Sequence, residues 1–292
     1  MATLYIIGNG FDRWHELPTS YEHFYEFAKD LLDELEGYFD DELAKDVLWY
    51  DFENSLGTFD SQMFYDEHNN TDVTAEDFKL SDTYGLEDDL NEQADNMVNE
   101  IRNRFHDWIY SIDISKAPKK LTFSSDSRFL TFNYTSTLQK VYGIDDEKVC
   151  HIHGKSDRSD ELVFGHGNTF EEEPEVDENG ESNHTIFSDA ERAARYPFYA
   201  FQKPVVRVIE QKSGFFESLR DITEVIVLGH SLNEIDLPYF EKIAKNIKGA
   251  KWTVSFHQHQ EKANHRNHLR KCGVPPEDIF QCASSDLEMI QS

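Results

Sequence analysis

Five short polar stretches in this chain carry residue types that do chemistry, and each follows an apolar run. The first is Gly8-Asn9-Gly10-Phe11-Asp12, directly after Leu4-Tyr5-Ile6-Ile7. The others are Thr131-Phe132-Asn133-Tyr134-Thr135, His151-Ile152-His153-Gly154, Phe164-Gly165-His166-Gly167, and Gly229-His230-Ser231-Leu232-Asn233-Glu234-Ile235-Asp236. Glycines at a strand end permit a tight turn and let main-chain N–H groups approach an anion. Asp12 could then accept hydrogen bonds from sugar hydroxyls. A turn that only ends the strand, with Asp12 capping a helix, is an equally simple account. Asn133 ends an apolar strand, where a side-chain amide costs energy unless it is satisfied. It suits a ribose hydroxyl or a water, or it caps the next helix and tolerates a left-handed backbone.

His151 and His153 flank Ile152, so within a strand they share a face. A metal pair is one reading, with His166, His230, His257 and His259 as helpers. No HxxxH or HxD pattern supplies the remaining ligands, and no metal is expected. A single general base at His153, beside Gly154, is more economical; two histidines that only hydrogen-bond in a crevice are the third account. In the last stretch Gly229, Ser231, Asn233 and Asp236 follow a strand, and Ser231 with its neighbouring amides could meet a phosphate at a helix N-terminus. GHSLN lacks the second glycine of GxSxG, which argues against a serine hydrolase.

Strand patterns at 3–7, 128–132, 148–152, 161–164, 224–228 and 252–256 alternate with helical patterns at 136–142, 204–219, 237–247 and 261–271. This alternation predicts an α/β fold, a Rossmann-like, mainly parallel sheet with helices on both faces. Ligands of such sheets bind at the carboxyl ends of the strands, where the polar stretches would converge. Helical spacing through Tyr21, Phe24, Phe27, Leu31 and Leu35, a second pattern at 43–56 and a long amphipathic helix at 86–112 predict a large helical insertion after the first strand. The acidic stretch 58–83 reads as a loop, and 171–183 as a surface insertion. The expected domains are residues 1–19 with 120–292, which bind a nucleotide, and the insertion 20–119.

At 38% hydrophobic and 13% aromatic, the 292 residues can bury a substantial core. A formal net charge of −29 argues against direct nucleic-acid binding and against an anionic membrane surface. A small anionic ligand remains compatible, because backbone amides make a local positive field. Cys150, Cys272 and Cys282 form no CxxC pair, which predicts a reducing, cytoplasmic setting and no four-thiolate zinc site. The run 225–228 is too short for a membrane span, and no leader segment is expected before the first strand.

Taken together, LYIIGNGFD…LPTSYEHF, FNYTSTL, HIHG and VIVLGHSLNEIDLPYF resemble the bacteriophage abortive-infection AbiH family. At greater distance the same order of motifs is similar to the sirtuin-like NAD-binding fold. That resemblance implies that Gly8, Asn9 and Gly10 cradle a diphosphate, with Phe11 and Asp12 of the same loop among the cofactor-binding residues. It implies Asn133 on the nicotinamide ribose or a water, and His153 as the catalytic base. Gly229 and Ser231, with His230, Asn233 and Asp236 on the same turn, would contact the cofactor's adenosine side. Thr135 stands where sirtuins carry an Asp, and the zinc cysteines of deacetylases are missing. The implied activity is hydrolysis of the nicotinamide glycosidic bond of NAD in phage defence. A non-catalytic nucleotide sensor and a metal-dependent phosphoester or nucleotide hydrolase are the alternatives. The implied partners are a small nucleotide and a phage-derived trigger, and self-association into a homo-oligomer is compatible with the sequence.

Overall fold

The structure, a computed structural model, describes residues 2–39, 48–157, 161–171, 174 and 176–289. Six strands form its sheet: β1 (Ala2–Ile7), β2 (Arg128–Thr131), β3 (Val149–His151), β4 (Ile222–Leu228), β5 (Lys251–Phe256) and β6 (Ile279–Ala283). They lie in the order β3-β2-β1-β4-β5-β6, and every neighbouring pair is parallel. This is the doubly wound order of Rossmann-like folds, whose direction of winding reverses between β1 and β4.

Side chains that alternate along the strands explain why both faces need cover. Leu4, Ile6, Val225 and Val227 join a core with Phe216, Phe240 and Leu269, which come from the helices Ser213–Glu217, Leu237–Asn246 and Glu261–Lys271. Tyr5, Ile7, Ile226 and Leu228 join the other core with Phe11 and Leu138, from the helices Asn9–Trp14 and Thr137–Tyr142. Full burial of each such aliphatic side chain contributes about 1.5–3 kcal/mol. No helix among the described residues is long and apolar enough to cross a membrane.

The chain divides into two compact units. The first comprises Met1–His23, His106–Val163 and Pro204–Ser292, and holds the sheet. The second comprises Phe24–Phe105 and Phe164–Lys203. It is helical, and its core is built from rings: Phe24 meets Phe52 at 4.7 Å between centroids, Phe52 stacks on Phe105 at 5.8 Å, and Phe105 meets Phe164 at 4.3 Å.

Several elements depart from the sequence expectation. Residues 161–164 form no strand; Phe164 packs among the rings of the second unit, and the loop that follows makes only an isolated bridge between His166 and Gln202. A four-residue apolar run cannot by itself distinguish a sheet strand from a core anchor. The edge strand β6, unread in the sequence, carries an exposed Phe280 and lacks a strong apolar run. Within 58–83 the helix Ser61–His68 forms, because Asp60 caps it by accepting from the amides of Gln62 and Met63 at 3.0 and 2.9 Å. The long helix runs Leu80–Ser111, starting before 86. The pattern 204–219 is broken into Val205–Gln211 and Ser213–Glu217. Of the pattern 43–56, residues 43–47 lie outside the described residues, and the rest forms the short turns Leu48–Asp51 and Phe52–Ser55. Residues 172, 173 and 175 of the surface insertion likewise lie outside the described residues.

Candidate functional site

The turns after β1 and β4 sit at the point where the winding reverses, and they are packed backbone on backbone. Gly8 N–H donates to Leu228 O at 3.0 Å, and Gly10 N–H donates to Gly229 O at 2.8 Å. A Cβ on Gly8 would stand 2.6 Å from His230 Cα, and one on Gly10 would stand 2.8 Å from Gly229 Cα. Gly229 itself has φ +64°, and a Cβ there would meet Phe11 N at 2.2 Å. Contact between the two turns is therefore enough to require all three glycines. The amide of Phe11 closes back onto Gly8 O at 2.9 Å. Asn9 and Gly10 are exposed, as are Ser231 and Asn233 on the neighbouring turn. Asn9 Nδ2 donates to Thr19 O at 2.7 Å, which ties the loop to the segment beyond its helix.

Beneath this exposed rim lies a buried polar floor. Asp12 is 1% exposed, and its Oδ2 accepts from Thr135 Oγ1 at 2.5 Å. Burial pushes its carboxyl up from 3.8 to about 6, against the opposing pull of Thr135, Thr137 and Asn133. Asn133, 6% exposed, is held through its backbone: its N–H donates to Thr131 Oγ1 at 3.1 Å, and its carbonyl accepts from His151 Nδ1 at 3.1 Å. Its side chain lies near enough to Asp12 to favour the charged carboxylate, without forming a well-aligned hydrogen bond. Among the described residues, neither Oδ1 nor Nδ2 of Asn133 has a hydrogen-bonding partner, and Asp12 Oδ1 has none.

The two histidines of HIHG go separate ways. His151 ends β3, and His153 lies past the strand in a turn, so they do not form a pair on one strand face. Because His151 Nδ1 donates to a carbonyl, its Nε2 is the acceptor for Gln139 Nε2 at 3.0 Å. Burial lowers its pKa to about 4, so the ring is neutral at pH 7. His153 is 3% exposed and packs against the rings of Phe132, Tyr134 and Tyr239. Its Nε2 stands 3.8 Å from Asp236 Oδ1. On the other side of that carboxylate, His230 Nε2 stands 3.6 Å from Oδ2.

The turn that carries His230 and Asp236 is fastened from below. Gly229 N–H donates to Ser255 Oγ at 3.0 Å, and His268 Nδ1 donates to Leu232 O at 2.9 Å. Leu232 is fully buried at φ +57°, a conformation that costs an ordinary residue about 1–2 kcal/mol. Its N–H donates to His230 Nδ1 at 2.9 Å, so the neutral His230 carries its proton on Nε2, facing Asp236.

Two buried clusters, Asp12 with Asn133 and His153 with Asp236 and His230, thus lie in the segments after the carboxyl ends of β1, β2, β3 and β4 and make the floor, and the exposed Asn9, Gly10, Ser231 and Asn233 make the rim. His166 belongs to the second unit, where its Nε2 donates to Phe198 O at 2.9 Å. His257 and His259 are exposed. Among the described residues, no group of His, Cys, Asp and Glu is arranged to hold a metal ion. Thr137 restrains Asp12 and Gln139 bonds to His151; in the sequence the hydroxyl-rich run after Asn133 signals Thr137, and no local pattern signals Gln139. A cavity of about 510 Å³ in the second unit, lined by Asn91, His184, Arg192, Arg195, Tyr196 and Tyr199 among others, includes no floor or rim residue.

The model of the family described as bacteriophage abortive infection AbiH matches residues 4–256, from β1 to the last residue of β5. The match spans every residue of the floor and rim. No curated protein matches the chain, and no solved structure matches it.

Proposed function

The chain belongs to the bacteriophage abortive-infection AbiH family, and from that premise we propose that it serves phage defence by binding NAD at the carboxyl edge of the sheet and hydrolysing its nicotinamide glycosidic bond. The observation that carries this reading is Asn133: a buried amide beside Asp12 Oδ1, none of whose polar atoms has a well-aligned hydrogen bond among the described residues. Leaving such groups unsatisfied costs about 1–3 kcal/mol each. A ligand that both donates and accepts there, as ribose hydroxyls do, removes that cost. The sirtuin-like order of the motifs and the strand order with its reversal between β1 and β4 support a nucleotide as that ligand.

In the reaction, the bond between C1′ of the ribose and the nicotinamide nitrogen breaks. Both electrons go to that nitrogen, and nicotinamide leaves neutral without needing an acid. A water oxygen bonds to C1′ and gives its proton to His153, which later returns it to solvent. Asn133 holds the ribose or the water, and general-base assistance of this kind is worth about 10²–10⁴-fold. The exposed rim of Asn9, Gly10, Ser231 and Asn233 takes the polar remainder of the nucleotide. The amides of Gly8, Gly10 and Phe11 are committed to carbonyls, so the loop contributes shape and its outward face.

The test is to incubate the purified protein with NAD, with and without phage lysate as trigger, and follow nicotinamide by chromatography. Release by the wild type, lost in Asn133→Ala and His153→Ala proteins that keep their circular dichroism, is expected. Turnover that persists undiminished in both variants refutes the site. Saturable NAD binding that depends on Asn133, with no product in either condition, identifies a sensor in place of an enzyme.

A further inference from the structure

We propose that Asp236 is a positioning residue for His153: its carboxylate keeps a proton on His153 Nε2, and His230 holds that carboxylate from the opposite side. Three buried groups from two different turns make this arrangement, at 3.8 Å for His153 Nε2 to Asp236 Oδ1 and 3.6 Å for His230 Nε2 to Asp236 Oδ2. The side chain of Asp236 is 10% exposed, and those of His153 and His230 are 3% and 4% exposed. Burying a carboxylate is costly unless donors face it. His230 faces it: Leu232 N–H occupies its Nδ1, which leaves the proton of the neutral ring on Nε2, the nitrogen that stands 3.6 Å from Asp236 Oδ2, an electrostatic contact longer than a hydrogen bond. Leu232 reaches that position only in a left-handed backbone, and the bond from His268 to its carbonyl holds it there. The loop thus keeps a strained residue where its N–H fixes the tautomer of His230.

The consequence falls on His153. An Nε2 that faces a carboxylate is favoured as N–H, and the imidazolium formed when the ring accepts a proton is favoured by the same negative charge. Among the described residues, the titratable groups packed against His153 include Asp236, from the turn after β4, Tyr134, from the segment after β2, and Tyr239, from the helix Leu237–Asn246. His230 is packed by Asp236, Phe132 and Phe240. Asp236 therefore acts on the reaction through His153, and a ligand need not touch it. This inference rests on His153 as the base, and its first test needs no turnover.

That test is nuclear magnetic resonance of the full chain with ¹⁵N-labelled histidine. In the wild type at pH 8, His153 should appear as the Nε2–H tautomer. In Asp236→Asn its pKa should fall by about one unit or more, because a carboxylate within about 4–6 Å is worth 1–3 units. Asp236→Glu, which retains the charge, should restore most of that shift. A wild-type Nδ1–H tautomer, or a pKa in Asp236→Asn within about 0.3 unit of the wild type, overturns the proposal. The tautomer alone decides the matter if Asp236→Asn does not fold. In the NAD assay, Asp236→Asn should lower kcat about 100-fold or more with little change in KM. A wild type without turnover refutes the glycohydrolase reading and leaves the tautomer and titration results to stand by themselves.

Discussion

Replacing Gly229 by alanine measures how firmly the turns after β1 and β4 are locked together, and Gly143 supplies an internal control. Both glycines sit in the left-handed region, Gly229 at φ +64° and Gly143 at φ +69°. Gly143 ends the helix Thr137–Tyr142, and an added Cβ there meets nothing within 4 Å. Its alanine variant therefore carries only the backbone penalty, about 1–2 kcal/mol. At Gly229 the same Cβ would lie 2.2 Å from Phe11 N and 2.5 Å from Gly10 C. Those are backbone atoms of a neighbouring turn and cannot rotate away. Overpacking of this kind adds about 1–3 kcal/mol, so Gly229→Ala should cost about 2–5 kcal/mol in all. That is a large share of the 5–15 kcal/mol typical of a folded domain. Guanidinium denaturation followed by far-ultraviolet circular dichroism and tryptophan fluorescence measures both variants beside the wild type. Costs for Gly229→Ala and Gly143→Ala that agree within about 0.5 kcal/mol would refute the claim that turn-on-turn contact, rather than φ alone, demands glycine at 229.

Three further outcomes follow from buried charges. Asp12 has a folded-state pKa raised to about 6, so the folded chain binds more protons than the unfolded one between pH 4 and 6, and the penalty of ionising it grows as pH rises through that window. Asp12→Asn should accordingly gain on the wild type by about 3 kcal/mol between pH 4 and 7 in urea denaturation, and parallel stability curves for the two proteins would contradict the burial argument. His151, with its pKa lowered to about 4, has the opposite sign: the unfolded chain binds the extra proton, so His151 subtracts stability as pH falls from 6.5 towards 4. His151→Gln should show about 3 kcal/mol less acid sensitivity than the wild type over that range, and an unchanged acid limb would count against a neutral buried ring. In the second unit, Lys203 and Glu53 meet at 2.6 Å, with side chains 1% and 13% exposed. Removing the carboxylate by Glu53→Ala should cost about 3–5 kcal/mol, and the double replacement Glu53→Leu with Lys203→Met should recover most of it; a single variant of wild-type stability would argue that the pair is unimportant.

Local pattern alone was enough to locate most of the sheet. β1 and β4 are apolar runs that end in glycine, and the helices at 237–246 and 261–271 carry their own spacing, so both could be read from neighbours a few residues apart. The placing of four of the five polar stretches after strand ends was legible for the same reason, since a parallel sheet gathers the carboxyl ends of its strands along one edge; the fifth, Phe164–Gly167, follows no strand and belongs to the second unit. Sequence similarity by itself also determined the family.

Only the tertiary structure decided what those motifs touch. Gly8 and Gly10 read as a loop shaped for a phosphate, yet the backbone they accommodate is that of Gly229 and His230, more than two hundred residues along the chain. Within a strand His151 and His153 would share a face; the strand ends between them, and each ring finds a neighbour on a different element, Gln139 for one and Asp236 for the other. A short apolar run such as the one ending at Phe164, or a weak one such as β6, takes its role from what packs against it. The pKa of Asp12 follows from burial beside Thr135, which only the pairing of β1 with β2 brings about. Periodicity encodes which side of an element is apolar, because that depends on residues within a turn or two. Which two elements meet, and at what register, depends on contacts distant in sequence, and the chemistry of this edge is made at those meetings.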